Sequence, residues 1–195
     1  VDVVDFAMLG RTLRRVHDLD PPQRVRARRR GIRRVDRSPQ ALLDEVDGLL
    51  AAAGEDERLA PLRARWPDAL PRLRRLARAE RMLKRTRRPA ERVTLHGDPH
   101  LGNVVVDLEG RPWLIDFDEA AVAPREVDLM LVELGVLFSM PLDESHRARF
   151  REGYGADAAI DEERVARFGC VRAIEDVASV VRHALADTAP IGVDP

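Results

Sequence analysis

The spacing of apolar residues along the chain predicts a mostly helical protein. Near the N-terminus they recur at steps of three and four positions, as Phe6, Leu9, Leu13 and Val16. This period is typical of an amphipathic helix, which Pro21 and Pro22 would end. Ser38 followed by Pro39 is a helix N-terminus signal. Further helices are expected at 39–53, 70–86, 125–138, 143–155 and 161–187.

The pattern changes between residues 92 and 118, where short runs rich in β-branched residues replace the helical period. These runs are "RVTL" at 92–95, "NVVVDL" at 103–108 and "PWLIDF" at 112–117. Glu109 and Gly110 between the last two form a turn signal, so those two runs are expected to pair as a hairpin. The sequence therefore predicts an α+β fold that is mostly helical and carries a small β-hairpin.

The composition is that of a globular domain and argues against two classes of partner. The 195 residues are 45% hydrophobic and 34% charged, with a formal net charge of -1. Because acids and bases nearly cancel, no overall field favours nucleic acid or an anionic membrane. The Arg-rich stretch 22–37 is predicted to be a solvated connector, because no aromatic side chain interleaves it to stack on bases.

Cysteine and aromatic residues are scarce in this sequence. The single cysteine, Cys170, excludes an internal disulfide and favours a reducing compartment, so a cytoplasmic protein is expected. We expect Cys170 to be a buried small hydrophobe, and Tyr154, Phe168 and Trp113 to lie in the core, since aromatic residues make up only 4% of the chain.

The stretch from Thr94 to Asp118 concentrates polar side chains around the predicted hairpin. One interpretation is a metal-dependent hydrolase, with a transition metal bound by His96, Asp98, His100 and Asp116. This set lacks the helical His spacing or the paired cysteines of strong metal motifs, and its Gly97 and Pro99 indicate a bent loop.

The order and spacing of three of these polar residues favour phosphoryl transfer instead. Asp98 and Asn103 enclose four residues, and Asp116 follows thirteen positions after Asn103 at the end of an apolar run. In phosphotransferases, such a D-x-x-x-x-N then D-F arrangement orients the attacking hydroxyl with the first aspartate and holds Mg²⁺ with the other two residues. Hard oxygen ligands suit Mg²⁺, and an acceptor alcohol needs a carboxylate within hydrogen-bond reach.

The composite motif resembles that of the aminoglycoside phosphotransferase and choline kinase-like family. The matching stretches are "LHGDPHLGNVVVD" at 95–107, "WLIDFDEAAVAPREVDL" at 113–129 and, in the helix that opens the C-terminal lobe of that family, "LGRTLRRVHDL" at 9–19. The resemblance implies that residues 1–195 form the C-terminal lobe of a protein-kinase-like fold. The catalytic loop and metal-binding hairpin would lie at 92–118 and a helical acceptor-site subdomain at 125–190.

The same resemblance implies ATP as co-substrate, Mg²⁺ as cofactor and a hydroxyl of a small molecule as acceptor. Asp98 would be the catalytic base, and Asn103 and Asp116 would bind Mg²⁺. His96 would hold the backbone of Asp98, and Asp128 would brace the catalytic loop from the following helix. Two roles stay open: His100 would face the phosphate site or pack the loop, and Asp118 would approach a second metal or cap the next turn.

Acidic residues in the predicted acceptor region would suit a cationic acceptor. The candidates are Asp157, Glu162, Glu163, Glu175 and Asp176. The alternative is a solvated helix face on which Arg164, Arg167 and Arg172 balance these acids.

The sequence departs from the family pattern at its N-terminus. The glycine-rich loop and strand lysine of a complete kinase fold are absent, and the one lysine, Lys84, lies in a predicted helix ahead of the catalytic strand. The chain also begins without methionine, in residues of helical pattern. A truncated form is therefore expected, one that binds Mg-ATP poorly by itself; the alternatives are a non-catalytic pseudokinase-like binding module and the metal-dependent hydrolase.

Overall fold

A computed structural model describes residues 4–27, 38–54, 56–133, 136–137, 140–155 and 158–186. The helices α1 to α7 span Phe6–His17, Gln23–Ala27, Pro39–Ala52, Ala60–Arg85, Glu126–Glu133, Glu144–Tyr154 and Glu162–Ala186. The strands β1 to β6 span Val93–Leu95, Val104–Val106, Pro112–Leu114, Ala121–Ala123, Val136–Leu137 and Met140–Pro141. The strands pair antiparallel as β1 with β4, β2 with β3 and β5 with β6. The mostly helical α+β architecture that the sequence predicts is therefore found.

The chain folds as two compact units. The first comprises Val1–Arg34 and Arg87–Phe168, and the second Val35–Thr86 and Gly169–Pro195. In the first unit the apolar face of α1 packs on α6. A Cβ added to Gly10 would lie 2.3 Å from the Phe150 carbonyl oxygen, and one added to Gly153 would lie 1.8 Å from that of Ala7. Glycine at both positions lets the two helix backbones approach closely.

The core of the first unit has two parts. One contains Phe6, Leu9, Leu13, Leu129, Val132, Leu142, Phe150 and Tyr154. The other contains Val93, Leu95, Ala123, Val127, Met130, Val165 and Phe168. Phe168 and Tyr154 are buried, as the sequence predicts.

The second unit contains α3, α4 and the later part of α7. The predicted start of α3 is confirmed, because the Ser38 hydroxyl accepts a hydrogen bond from the Ala41 N–H and Pro39 occupies the first turn. The predicted start of the next helix at Leu70 is wrong. α4 begins at Ala60 and continues through Pro67 and Pro71. Both prolines are exposed, so the carbonyls that lose a helical hydrogen bond can face water.

Two other predictions about local structure need correction, and one strand was not predicted. The helix expected at 125–138 ends at Glu133, and the short strands β5 and β6 follow. β4 was not predicted, because the residues Ala121–Ala123 have no strand pattern of their own. They form a strand by pairing with β1. Within the expected connector 22–37, residues 23–27 are helical and Val25 is buried, whereas 28–37 lie outside the described residues.

Two predicted core residues are less buried than expected. Trp113 is 56% exposed, because β2 and β3 form only a two-stranded sheet and its side chain lies on the outer face. Its Nε1–H donates a hydrogen bond of 2.9 Å to Asp107 Oδ2. Cys170 is half-buried, and this burial raises the pKa of its thiol. None of the helices in the described part of the chain is long and apolar enough to cross a membrane.

Candidate active site

The candidate site is a loop that leaves β1 and leads into the β2–β3 hairpin. The loop at 96–100 passes into a single 3-10 turn, Leu101–Asn103, and then into β2. At the open end of the hairpin, the Ile115 N–H donates to the Asn103 carbonyl oxygen at 3.0 Å. Because Asp116 follows Ile115 directly, this bond brings Asn103 and Asp116 to the same end of the hairpin. Gly110 at the other end has φ +79°, in the turn that the sequence predicts.

His96 is fully buried and organises the loop. Its Nε2–H donates to the Ile115 carbonyl oxygen at 2.8 Å, and its Nδ1 accepts from the Asp98 N–H at 3.3 Å. The imidazole ring also packs on Phe117, with the ring centroids 4.4 Å apart. Both ring nitrogens are therefore engaged by backbone groups, which argues against His96 as a metal ligand.

Asp128, in the first turn of α5, is fully buried beneath the same loop. Its carboxylate accepts hydrogen bonds from the backbone N–H of His96 at 2.8 Å and of Gly97 at 3.0 Å. A third bond comes from His17 in α1, whose Nε2 lies 3.1 Å from Asp128 Oδ2. These contacts tie the loop to two helices that are distant in sequence.

His17 was not among the site residues predicted from the sequence. It lies four positions after Leu13 on the face of α1 that is otherwise apolar, and it is buried. A polar side chain on a buried helix face needs a hydrogen-bond partner, because burial removes its water. This was the available signal, but the sequence does not indicate that the partner is Asp128.

Asn103 and Asp116 present oxygen atoms beside the Asp98 loop. The Asn103 side-chain amide donates to the Asp98 carbonyl oxygen at 3.0 Å, which fixes the orientation of the amide and leaves Oδ1 as its acceptor atom. Asp116 is exposed and has φ +63°, in the left-handed region. Such a conformation is uncommon outside glycine and is enriched at functional sites. No three His, Cys, Asp or Glu side chains among the described residues are arranged to hold a metal ion.

His100 lies beside Asp98 at the start of the 3-10 turn, and its Nε2 is 3.4 Å from Asp98 Oδ2. Burial lowers the pKa of His100, while the carboxylates of Asp98 and Asp116 act in the opposite direction with smaller effect. The bonds at the open end of the hairpin place Asn103 and Asp116 beside the same loop. The described structure thus brings together Asp98, His100, Asn103 and Asp116.

The lowered pKa of His100 predicts how stability depends on pH. Since the folded-state pKa is below the ordinary value of about 6.5, the unfolded chain binds more protons in the window just below pH 6.5. His100 therefore contributes stability that is present above this window and is lost as the pH falls through it. Replacing His100 with glutamine is expected to reduce the loss of unfolding free energy between pH 7 and pH 5, measured by urea denaturation. An unchanged pH slope would contradict the prediction.

The remaining candidates are acidic residues that follow Asp116 in the chain. Asp118 is exposed, two positions after Asp116. Glu162 and Glu163 are exposed in the first turn of α7, in the first unit, whereas Glu175 and Asp176 belong to the second unit. Asp176 forms an ion pair of 2.7 Å with Arg172, four residues before it on the same helix, as in the solvated-face interpretation. Asp157 lies outside the described residues.

Comparison with family models places this arrangement among known proteins. The model of the phosphotransferase enzyme family, APH, matches residues 5–168. The chain belongs to this family. The match includes the loop, the hairpin and α5, and it confirms the family that the sequence motifs resemble.

Two proteins similar to this family member are themselves named phosphotransferases. The chain is 37% identical over 76 residues to a probable aminoglycoside 3'-phosphotransferase of Lactococcus lactis subsp. lactis (strain IL1403), which covers 39% of the chain and 28% of the relative. The AMP-bound complex of spectinomycin phosphotransferase, APH(9)-Ia, superposes with a TM-score of 0.75 at 25% identity. That match covers 93% of this chain and 57% of the enzyme.

A second structure of the same enzyme, in complex with ADP and spectinomycin, has the same fold. Its TM-score is 0.79 at 24% identity, and the match covers 98% of this chain and 58% of the enzyme. The family member thus spans somewhat more than half of a solved relative and a smaller share of the Lactococcus enzyme. These matches confirm a kinase-like fold that is mostly helical with small sheets.

Proposed function

We propose that the chain carries the catalytic and metal-binding half of a phosphotransferase, which moves the γ-phosphoryl group of ATP to a hydroxyl of a small molecule. One observation carries this proposal: hydrogen bonds within a single loop and hairpin bring Asp98, Asn103 and Asp116 together. Family membership and the nucleotide complexes of spectinomycin phosphotransferase support it.

The side chains at the open end of the hairpin fit Mg²⁺. The amide of Asn103 is held so that Oδ1 is its acceptor atom, and Asp116 adds an exposed carboxylate. Mg²⁺ prefers such hard oxygen ligands and commonly keeps several waters, so it needs only one or two protein ligands in addition to phosphate oxygens. Bound there, it would neutralise charge on the β- and γ-phosphates.

Asp98 is suited to act on the acceptor hydroxyl. Its side chain is 24% exposed, so a small molecule can reach it, and its backbone is fixed by His96 and Asn103. The hydroxyl would donate its hydrogen bond to the Asp98 carboxylate. As its oxygen bonds to the γ-phosphorus, the bond from that phosphorus to the bridging oxygen breaks, ADP leaves and the proton passes to Asp98.

An apolar surface beside the metal-binding residues supports nucleotide binding. Val105 pairs with Trp113, and Ile115 lies two positions after Trp113, so Val105 and Ile115 share a face of the hairpin. The bond from the Ile115 N–H to the Asn103 carbonyl oxygen places Asn103 at the end of this face. Val105 and Ile115 are 48% and 45% exposed. An exposed apolar face of this kind can contact the flat face of a purine base.

The acceptor is proposed to be a small alcohol, with a cationic one favoured. Glu162 and Glu163 are exposed at the start of α7, and Arg164 is turned away from them toward Glu126 and Asp161, at 3.0 Å from each. Arg164 is therefore already engaged, and the two glutamates give this end of α7 an exposed negative charge.

The test is phosphoryl transfer by the protein, with ATP and Mg²⁺, to a panel of amino-bearing and neutral alcohols, followed by ³¹P NMR. A phosphorylated acceptor that disappears in the Asp98→Asn variant would support the proposal. ATP binding without transfer would favour the pseudokinase-like alternative. Metal-dependent ester cleavage without ATP would favour the hydrolase and overturn the proposal.

A further inference from the structure

A buried chain of hydrogen bonds runs from α6 to the carboxylate that braces the loop. The Tyr154 hydroxyl lies 2.6 Å from His17 Nδ1, and His17 Nε2 lies 3.1 Å from Asp128 Oδ2. All three side chains are buried, at 1%, 4% and 0% exposure in that order. A buried contact of 2.6 Å to a hydroxyl is short and well suited to a hydrogen bond.

The direction of each hydrogen bond follows from the chemistry of its partners. An ionised carboxylate only accepts, so His17 Nε2 carries a hydrogen and donates to Asp128. Tyr154 keeps its proton, because burial raises its pKa to about 12. Its O–H lies 2.6 Å from His17 Nδ1 and is therefore placed to donate to that nitrogen. In this arrangement His17 carries a hydrogen on Nε2 and accepts a hydrogen bond at Nδ1.

We propose that Tyr154 is a positioning residue for the catalytic loop, because its hydroxyl fixes the tautomer of His17 and thereby holds Asp128 on the loop amides. The other neutral tautomer would turn the lone pair of Nε2 toward the Asp128 carboxylate and lose that bond. Asp128 would then be free to turn away from the backbone N–H groups of His96 and Gly97. The proposal rests on the proposed function only in naming this loop catalytic.

Tyr154 connects the end of α6 to the loop that carries Asp98. Tyr154 is the last residue of α6, and the chain reaches α7, which carries Glu162 and Glu163, eight residues later. Its ring stacks on Phe150, with the ring centroids 6.0 Å apart, so the hydroxyl is held by α6 itself. A displacement of the C-terminal end of α6 would therefore change the hydrogen bonds that hold the loop carrying Asp98.

Two measurements on the full chain test the role of Tyr154. The first is the tautomer of His17 from ¹⁵N chemical shifts: the unaltered protein is expected to show hydrogen on Nε2, and Tyr154→Phe is expected to reduce that population. The second is amide hydrogen exchange at His96 and Gly97. It is expected to rise about five- to tenfold in Tyr154→Phe, the effect of one weakened hydrogen bond.

Thr94→Val is the matched control for Tyr154→Phe. It also removes one buried hydroxyl from the first unit, and that hydroxyl donates its hydrogen bond, of 2.6 Å, to the Leu19 carbonyl oxygen rather than to Asp128. It is expected to leave the His17 tautomer unchanged and to raise exchange at His96 and Gly97 no more than at amides of α1. Equal effects of the two substitutions would overturn the proposal.

The unaltered protein provides a test that does not depend on whether a variant folds. Hydrogen on Nδ1 of its His17 would overturn the proposal, and hydrogen on Nε2 supports it. Both measurements are independent of phosphoryl transfer. A failure of the proposed function would therefore leave them interpretable, and their failure would leave Asp98, Asn103 and Asp116 in their proposed roles.

Discussion

Replacement of Asp98 with asparagine is expected to lower the rate of phosphoryl transfer by about 10²- to 10⁴-fold, the usual contribution of a positioned general base. The asparagine amide keeps the size of the side chain but cannot take a proton from the acceptor hydroxyl. The backbone of residue 98 would stay in place, because His96 and Asn103 bind its N–H and its carbonyl oxygen. The measurement is kcat for the best acceptor, with the KM for ATP determined in parallel.

Glu109→Gln is the matched control for Asp98→Asn. It makes the same carboxylate-to-amide change at the exposed turn of the same hairpin, and kcat is expected to stay within about twofold of the unaltered protein, as is usual for surface substitutions. If Asp98→Asn also retained near-normal kcat, Asp98 would not be the base. A large rise in the KM for ATP with unchanged kcat would instead assign Asp98 to nucleotide binding.

Replacement of Gly97 with alanine is expected to destabilise the fold by about 2–5 kcal/mol, combining backbone strain with steric overlap. Gly97 has φ +96°, a conformation that residues with a Cβ rarely adopt. In addition, a Cβ at this position would lie 2.2 Å from the Glu119 carbonyl oxygen, a backbone atom that cannot turn aside. The measurement is the free energy of unfolding in urea, followed by circular dichroism.

Gly110→Ala separates the effect of backbone strain from that of steric overlap. Gly110 has φ +79°, but no atom lies within 4 Å of an added Cβ. Its substitution should therefore report backbone strain alone, at about 1–2 kcal/mol. Equal destabilisation by the two substitutions would show that the close approach of Glu119 does not constrain the loop.

The parts of the fold that were predictable from sequence are those fixed by local patterns. The apolar spacing of α1, the Ser38 cap of α3 and the turn at Gly110 each depend on residues within a few positions of one another. Such signals are present in the chain before any tertiary contact forms.

The features of the fold that were predicted wrongly or not at all share a different physical cause. β4 is a strand only because β1 lies beside it, and α4 tolerates Pro67 and Pro71 because their side of the helix faces water. Trp113 is exposed because the sheet ends at two strands. Each outcome depends on what surrounds the segment, which residue spacing does not encode.

In the candidate site, too, local sequence patterns were predictable and long-range contacts were not. Asp98, Asn103 and Asp116 can be identified in the sequence by residue type and spacing, which match a phosphotransferase motif. The bond from His17 to Asp128 joins residues 111 positions apart, and the left-handed backbone of Asp116 has no glycine to indicate it. The motif could therefore be recognised from the sequence, but the contacts that hold its residues in place could not.

The antiparallel register of the β2–β3 hairpin allows the number of residues between Asn103 and Asp116 to vary. Asn103 and Asp116 are aligned by the bond between Ile115 and Asn103, while the far turn is open, with Leu108 fully exposed there. Residues added in symmetric pairs to both strands at that turn would extend the ladder and leave the aligned ends unchanged. The interval between the asparagine and the second aspartate is thus free to differ among natural variants, whereas the four-residue interval after Asp98 is fixed by the bond from the Asn103 amide to the Asp98 backbone.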